Sequence, residues 1–335
     1  MTEKINFITG GRGYLGGNLA TELTKRGEFV KLLNRPGSSV PDYLTTNPKI
    51  EIVSGDILDR ESLSEHTKNV DAIYHLAAFA KPWAKDNATY FQVNVIGTTN
   101  VLEAAYHNEV KNIVITSSAG TFGPQKDEKL IDESFSPQNH FTEYESTKQR
   151  SINESLKFID RGLDIKFVSP TRVFGPGALS ISNAVTRLIM QYWQGKFRFM
   201  PGDGYSTGNY AFINDVVDGH IAAQEKGKSG HNYILGGENI SYREFFNYLA
   251  EQKGKSHKMI KLPIRLMVKV ARGMELAAET TGKPPLITPG FAKKYMHNWG
   301  TDLSKAKNEI GYEVTPFKKA LTETVNWLKA ENLIR

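Results

Sequence analysis

The chain has 335 residues, 39% of them hydrophobic, enough to bury a substantial core as one large domain or two unequal ones. It contains no cysteine, which excludes disulfides, thiolate metal sites and a cysteine nucleophile and fits a reducing, cytoplasmic setting. Its net charge of +6 is spread over scattered lysines with no long basic run, so it argues for small anionic ligands and against nucleic acid. No apolar run approaches the roughly 20 residues of a membrane span, and the opening MTEKINFITG lacks the apolar stretch of a signal peptide.

Taken in order, Ile5-Asn6-Phe7-Ile8 reads as a short strand, Thr9 to Gly16 as a glycine turn, and Leu15 to Lys25 as an amphipathic helix. Strand, glycine turn and helix together offer backbone N–H groups and a helix N-terminus to a pyrophosphate. Gly10, Gly13 and Gly16 permit the tight turn, the close phosphate approach and the helix–strand contact; Arg12, Tyr14 and Leu15 share that turn. Glycine also punctuates ordinary loops, and what singles this one out is its place at the first turn of a βαβ series. The second strand, Phe29 to Leu33, ends at Asn34-Arg35-Pro36-Gly37, which normally faces the adenosine ribose. A site selective for NAD(H) places a carboxylate there. Asn34 followed by Arg35 suits a 2′-phosphate instead, with Arg12 approaching the same group, so NADP(H) is the expected cofactor and NAD(H) the alternative.

Ile50 to Val53 is a third strand, followed by Gly55-Asp56-Ile57. Asp56 either accepts from the adenine amino group or caps the helix that starts near Asp59. The fourth strand, Ala72 to His75, runs into Leu76-Ala77-Ala78, small residues that admit a ligand close to the backbone; His75 is read as structural. The helix around Asn87 to Asn108 carries Asn94 among apolar neighbours, where it bonds to backbone or orders the site. The fifth strand, Asn112 to Thr116, ends in Ser117-Ser118. A helix then runs from Tyr144 to about Arg161, and its 3.6-residue period puts Tyr144 and Lys148 on one face. The sixth strand, Asp164 to Val168, leads to Pro170-Thr171-Arg172-Val173-Phe174.

This alternation predicts an α/β protein with a doubly wound parallel sheet, a Rossmann fold. Beyond Pro176 the pattern loosens: Ile181 to Tyr192 reads as a helix, Phe197 to Met200 as a strand, Asn209 to Ala223 and Asn232 to Leu235 as a return to the sheet, and Ser241 to Arg335 as mostly helical. The expected division is a dinucleotide-binding domain over 1–176 and 209–236, and a smaller, mostly helical substrate-binding region over 177–208 and 237–335. The amphipathic stretch Ile264 to Thr281 is expected as a lid over a pocket; its basic face makes a peripheral membrane contact the alternative. No metal site is expected.

The ordered set Thr9 to Gly16, Gly55-Asp56, His75 to Ala78, Asn94 to Thr98, Ser117-Ser118, Tyr144-x-x-x-Lys148 and Pro170-Thr171-Arg172 resembles the extended short-chain dehydrogenase/reductase family, also called the NAD-dependent epimerase/dehydratase family. The likeness runs over essentially the whole chain. It implies that Tyr144 is the catalytic acid/base, that Lys148 lowers its pKa and holds the nicotinamide ribose, and that Ser118 bonds the reacting oxygen. It also implies cofactor contacts from Ile57, Leu76, Ala77, Ala78, Pro170, Thr171 and Val173, alongside the glycine turn, Asn34, Arg35 and Asp56. A homodimer through the two long helices of the sheet domain is a further expectation of the resemblance.

Within the family, the nucleotide-sugar branch usually places an arginine just before a motif ending Asp-x-x-x-Gly-His; the matching position here is Gly208. That branch also carries a later arginine, which Gly282 to Thr288 lacks. Lys283 to Thr288 and Gly300 to Tyr312 look more like the branch of dihydroflavonol reductases and 3β-hydroxysteroid dehydrogenases, which act on bulky, largely apolar ketones or secondary alcohols. Candidate walls for such a substrate are Phe79, Trp83, Phe122, Phe174, Tyr192, Trp193 and the helix from Ile264, with Phe79 and Trp83 best placed because they follow Ala77-Ala78. The expected activity is an NADP(H)-dependent oxidoreductase interconverting a carbonyl and a secondary alcohol on a bulky, largely apolar small molecule; the rival is a nucleotide-sugar epimerase or dehydratase with retained NAD(H).

Overall fold

In the first strand, Phe7 and Ile8 are both wholly buried yet belong to different cores, because successive strand residues point to opposite faces of a sheet. Ile113 and Val114, and Phe167 and Val168, repeat this division. A sheet apolar on both faces must be covered on both faces, which is the demand that βαβ crossovers meet.

The computed structural model describes residues 3–335. The chain runs β1 (Ile5–Thr9), α1 (Tyr14–Lys25), β2 (Phe29–Asn34), α2 (Asp42–Thr45), β3 (Ile50–Ser54), α3 (Arg60–His66), β4 (Ala72–His75), α4 (Ala88–Phe91), α5 (Gly97–His107), β5 (Asn112–Thr116), α6 (Glu143–Ile159) and β6 (Asp164–Pro170). It continues through β7 (Arg172–Phe174), α7 (Ala184–Trp193), β8 (Phe199–Pro201), β9 (Thr207–Phe212), α8 (Ile213–Lys226), β10 (Asn232–Leu235), β11 (Glu238–Ser241), α9 (Tyr242–Lys253), β12 (Ile260–Leu262), α10 (Ile264–Thr281), α11 (Pro289–Lys294), α12 (Ser304–Ile310) and α13 (Phe317–Ala330).

Seven strands form one parallel sheet in the order β3-β2-β1-β4-β5-β6-β10. The order reverses between β1 and β4, and the crevice beyond their C-terminal ends is where open α/β sheets bind ligands. The expected Rossmann fold is therefore present, with one revision. Asn232 to Leu235 does return to the sheet as its seventh strand, but Asn209 to Phe212 does not. That segment lies in β9, which joins β7 and β11 in a separate three-stranded sheet. The outer edge of β6 is already occupied by β10, so the chain after Pro170 turns away and pairs elsewhere.

One core, under α3, α5 and α6, is confined to the sheet. The other begins under α1 and α8 and continues unbroken into the C-terminal half through Phe174, Tyr210, Phe245 and Phe317. In contrast, α10 packs on α11, buries Ala271 and Ala278, and leaves Leu266, Val270 and Leu276 exposed. Among the described residues no helix is long and apolar enough to cross a membrane.

Candidate active site at the sheet switch point

The glycine turn occupies the crevice between β1 and β4. Gly10 has φ +74°, a left-handed conformation that favours glycine, and a Cβ there would lie 2.7 Å from the Ala77 nitrogen. A Cβ at Gly16 would overlap the Gly10 carbonyl, so this glycine sets how closely α1 approaches the turn. Gly13 differs: only the Gly10 oxygen, at 3.1 Å, would crowd a Cβ there. The space beside it is open at the N-terminus of α1, whose first turn carries no acidic residue and no side-chain cap. Free N–H groups, a helix dipole and an open backbone fit a pyrophosphate.

At the end of β2, Asn34 donates to the Ser38 carbonyl (2.9 Å), while its own Oδ1 is buried and has no partner in the protein. An orphaned acceptor where the ribose belongs fits a sugar hydroxyl. Arg35 is exposed next to it, and Arg12 reaches from the glycine turn to the Ser39 carbonyl (3.3 Å), so both cations border the same loop. Asp56 accepts from the Leu58 N–H (2.9 Å) and does not cap α3; Asp59 does, accepting from Glu61 and Ser62. Tyr14 and Ile57 are buried, Tyr14 bonding the Gly175 carbonyl and Ile57 filling the space over Gly97, so any cofactor contact from them is through backbone. Leu15, Leu76, Ala77, Ala78, Thr171 and Val173 are partly exposed along the crevice, and Pro170 is buried.

Ser118 ends the loop after β5 and caps the short 3₁₀ turn Ala119–Phe122, its Oγ accepting from the Gly120 N–H at 3.2 Å. Its own hydroxyl proton stays free. Helix α6 packs on that turn so tightly that a Cβ at Gly120 would stand 2.6 Å from Glu145 Oε1. Tyr144 lies in the first turn of α6 and Lys148 one turn on. Lys148 is only 1% exposed, and burial pulls its ammonium down to about 8 with no neighbouring carboxylate or hydrogen bond to offset it. Tyr144 departs from the expectation of a lowered phenol. Burial first, and then the Glu145 charge, push it up to about 12. Tyr144 is therefore a phenol at neutral pH, a held proton rather than a standing base.

Asn94 does both things allowed by its sequence context. Its Oδ1 accepts from the Phe79 N–H (2.7 Å), and its Nδ2 donates to the Phe79 carbonyl (3.3 Å) and to Thr147 Oγ1 (3.0 Å). It thus ties the loop after β4 to the helix of Tyr144 and Lys148, from a π-helical turn, Gln92–Ile96. His75 is structural: its ring bridges Thr9 (2.7 Å) and Thr98 (2.9 Å), and burial lowers its pKa to about 3, so it stays neutral.

A small cavity of about 90 Å³ opens beside Ser118, lined also by Pro170, Thr171, Arg172, Asn209, Lys294, Trp299 and Thr301. Several expected substrate walls lie elsewhere. Phe174 is 0% exposed and packs against Phe212 and Phe317, while Phe122, Tyr192 and Trp193 are likewise in the core. A strand interior or amphipathic helix buries its aromatics whatever the ligand needs. Phe79 and Trp83 are partly exposed, and Phe79 meets Tyr90 edge-on at 4.8 Å. Helix α10 contributes nothing to the cavity lining; α11 supplies Lys294 instead. Lys294 and Thr301 escaped the sequence reading, and Arg172 entered it only as the end of the Pro170-Thr171-Arg172 motif, because the three converge from distant segments; the one local signal of the cavity was the glycine at 208. Among the described residues no His, Cys, Asp and Glu cluster could hold a metal.

A Rossmann sheet with a dinucleotide-ready glycine turn and a Ser-Tyr-Lys set defines an NAD(P)-dependent enzyme acting on CH–OH groups. The chain belongs to the NAD dependent epimerase/dehydratase family, whose description matches residues 6–236, and thus to the extended short-chain dehydrogenases/reductases. It is 31% identical to the sterol demethylase protein B of Methylococcus capsulatus, over 98% of this chain and 99% of that one. A Synechocystis relative provisionally named a dihydroflavonol 4-reductase is 30% identical over 98% of this chain and 96% of its own. Among solved structures, the Thermotoga maritima UDP-glucose 4-epimerase with UDP-glucose superposes with TM-score 0.80 at 22% identity, covering 98% of this chain and 99% of that one, a likeness of fold.

Proposed function

We propose that the protein is an NADP(H)-dependent oxidoreductase that interconverts a carbonyl and a secondary alcohol on a bulky, largely apolar small molecule. The observation that carries this reading is Lys148, a buried ammonium without a protein partner, one helical turn from a protonated Tyr144. A bound nicotinamide supplies or takes the hydride. In reduction, the Ser118 hydroxyl, whose oxygen already accepts from Gly120, donates to the carbonyl oxygen, and Tyr144 gives it the proton. Lys148 donates to the cofactor ribose and keeps positive charge beside the phenol oxygen as the proton leaves.

Preference for NADP(H) is supported by Arg12 and Arg35 around the loop after β2 and by the lack of a carboxylate at Asn34. The apolar substrate is supported by the exposed faces of Phe79 and Trp83 next to Ala78 and by the sterol and flavonoid names of two relatives. One observation favours the nucleotide-sugar reading: the Arg172 guanidinium lies over Gly208, returning a cation to the place where that branch carries one.

The deciding experiment is NADPH and NADH oxidation against a panel of ketones, aldehydes, steroids and flavonoids, beside thermal shifts with UDP- and GDP-sugars. Turnover of an apolar carbonyl with NADPH is the expected result. Tightly retained NAD(H), with stabilisation by a nucleotide sugar, would replace this reading by its rival.

A further inference from the structure

The cavity beside Ser118 holds one cation more than its acids balance. Lys294 is ion-paired with buried Glu145 and sits 4.7 Å from the Trp299 ring centre. Arg172 has no carboxylate: its neighbours are the Tyr210 ring at 5.4 Å, the Tyr242 ring at 5.3 Å and the Tyr210 hydroxyl at 3.4 Å. Tyr295 packs on Tyr242 at 5.4 Å and completes an aromatic wall around the guanidinium. An arginine is always charged, and rings plus a single neutral hydroxyl leave most of its five N–H donors without acceptors. Enclosing such a group costs stability unless something pairs with it.

Space has been kept for this arrangement. A Cβ at Gly208 would overlap the guanidinium, so any other residue there would drive Arg172 from its seat. Gly208 and Tyr210 lie two apart on β9 and therefore share the face that cradles Arg172. Thr301, on the same lining, is 4% exposed and its Oγ1 is buried without a partner. A residue with an unpartnered buried hydroxyl and an unpaired cation thus line one space, together with Ser118.

We infer that Arg172 binds a carboxylate on the substrate, with Thr301 as a second donor, so that the preferred substrate is an apolar carbonyl or alcohol bearing an acid group near the reacting carbon. The planar guanidinium matches a carboxylate through two parallel hydrogen bonds. The inference rests on the carbonyl/alcohol reading for the identity of the reacting group, but not for the binding of the anion.

The test is therefore a binding measurement on the full chain with NADPH present. Dissociation constants for 2-naphthoate and its neutral counterpart 2-naphthamide are measured in the wild type, Arg172→Met and Arg172→Lys. Wild type is expected to bind the acid at least about tenfold more tightly than the amide. Arg172→Met is expected to lose that preference, and Arg172→Lys to keep part of it. The melting temperature of ligand-free Arg172→Met should be no lower than that of wild type, because an unpaired charge has been removed. A merely structural arginine would lower it. Equal binding of acid and amide, no binding of either at millimolar concentration, or a preference that survives in Arg172→Met would overturn the inference. UDP-glucose bound more tightly than naphthoate, and lost in Arg172→Met, would overturn both it and the carbonyl reading. Should the carbonyl reading alone fail, the acid-over-amide preference and its loss in Arg172→Met would stand.

Discussion

In the seven-stranded sheet, each group proposed to meet the cofactor or the reacting oxygen sits at the end of a strand or in the turn that follows it: Gly10 after β1, Asn34 at the end of β2, Ala77 after β4, Ser118 after β5. The cavity next to it is assembled differently. Arg172 comes from β7, Asn209 from β9, Lys294 from α11 and Thr301 from the loop before α12, and the space Arg172 needs is made by Gly208, on β9. The first region offers backbone and loops of defined geometry, so its proposed chemistry is carried by local spacing. The second depends on side chains brought together by packing, so its chemistry changes with any of several distant residues. A family can therefore keep one hydride-transfer site while its members differ in substrate.

The sharpest way to test this contrast is at the shared centre. Replacing Tyr144 with Phe removes the held proton and should cut turnover by about 10²- to 10⁴-fold while NADPH affinity, set by the sheet, changes by less than about twofold. Stopped-flow hydride transfer and fluorescence titration read the two effects, and undiminished turnover would remove Tyr144 from the chemistry. Next in size, Arg35→Asp should weaken NADPH by at least about tenfold and NADH by far less, since a charge-assisted contact to the 2′-phosphate is replaced by repulsion. Equal losses for both cofactors would contradict the assignment.

A smaller effect of opposite sign is expected at Lys148. Its pKa falls from about 10.4 in an unfolded chain to about 8 in the folded protein. The unfolded state thus binds the proton more strongly, and stability rises with pH through that window. Lys148→Met should be inactive yet melt no lower than wild type below pH 8, with any advantage fading as the pH approaches 10.4. Thermal unfolding at about pH 7 and about pH 10 checks this, and a variant less stable at the lower pH would refute it. The least change is expected on α10. Leu266→Ser combined with Val270→Ser should alter stability by no more than about 0.5 kcal/mol each in denaturant unfolding, because both side chains are already exposed. A larger loss would mean that the face is covered in solution.

Much of the first region was legible in the sequence. Alternating apolar runs separated by helical spacing specify a parallel sheet because each strand must bury two faces, and the glycine turn and the Tyr144–Lys148 spacing follow from geometry within a few residues. Asp56 illustrates the limit even there: Asp59, three residues later, is equally able to cap, and the backbone position of α3 chose between them. Aromatics were a poorer guide. Phe174, Tyr192 and Trp193 carry no mark distinguishing a core position from a pocket wall, since the same apolar surface serves both.

By itself, then, the sequence determined the doubly wound sheet and the glycine turn and put Tyr144 and Lys148 on one helix face, all through local periodicity and spacing, while the proposed roles of Ser118, Tyr144 and Lys148 rest on the resemblance to the family. Only the tertiary structure decided that β9 leaves the main sheet, that burial pushes the Tyr144 phenol up and the Lys148 ammonium down, and that Arg172 stands unpaired over Gly208. Those outcomes depend on strand-edge occupancy, desolvation and the absence of a nearby carboxylate. Each is a property of which distant residues the packed chain brings together, and no local pattern encodes it.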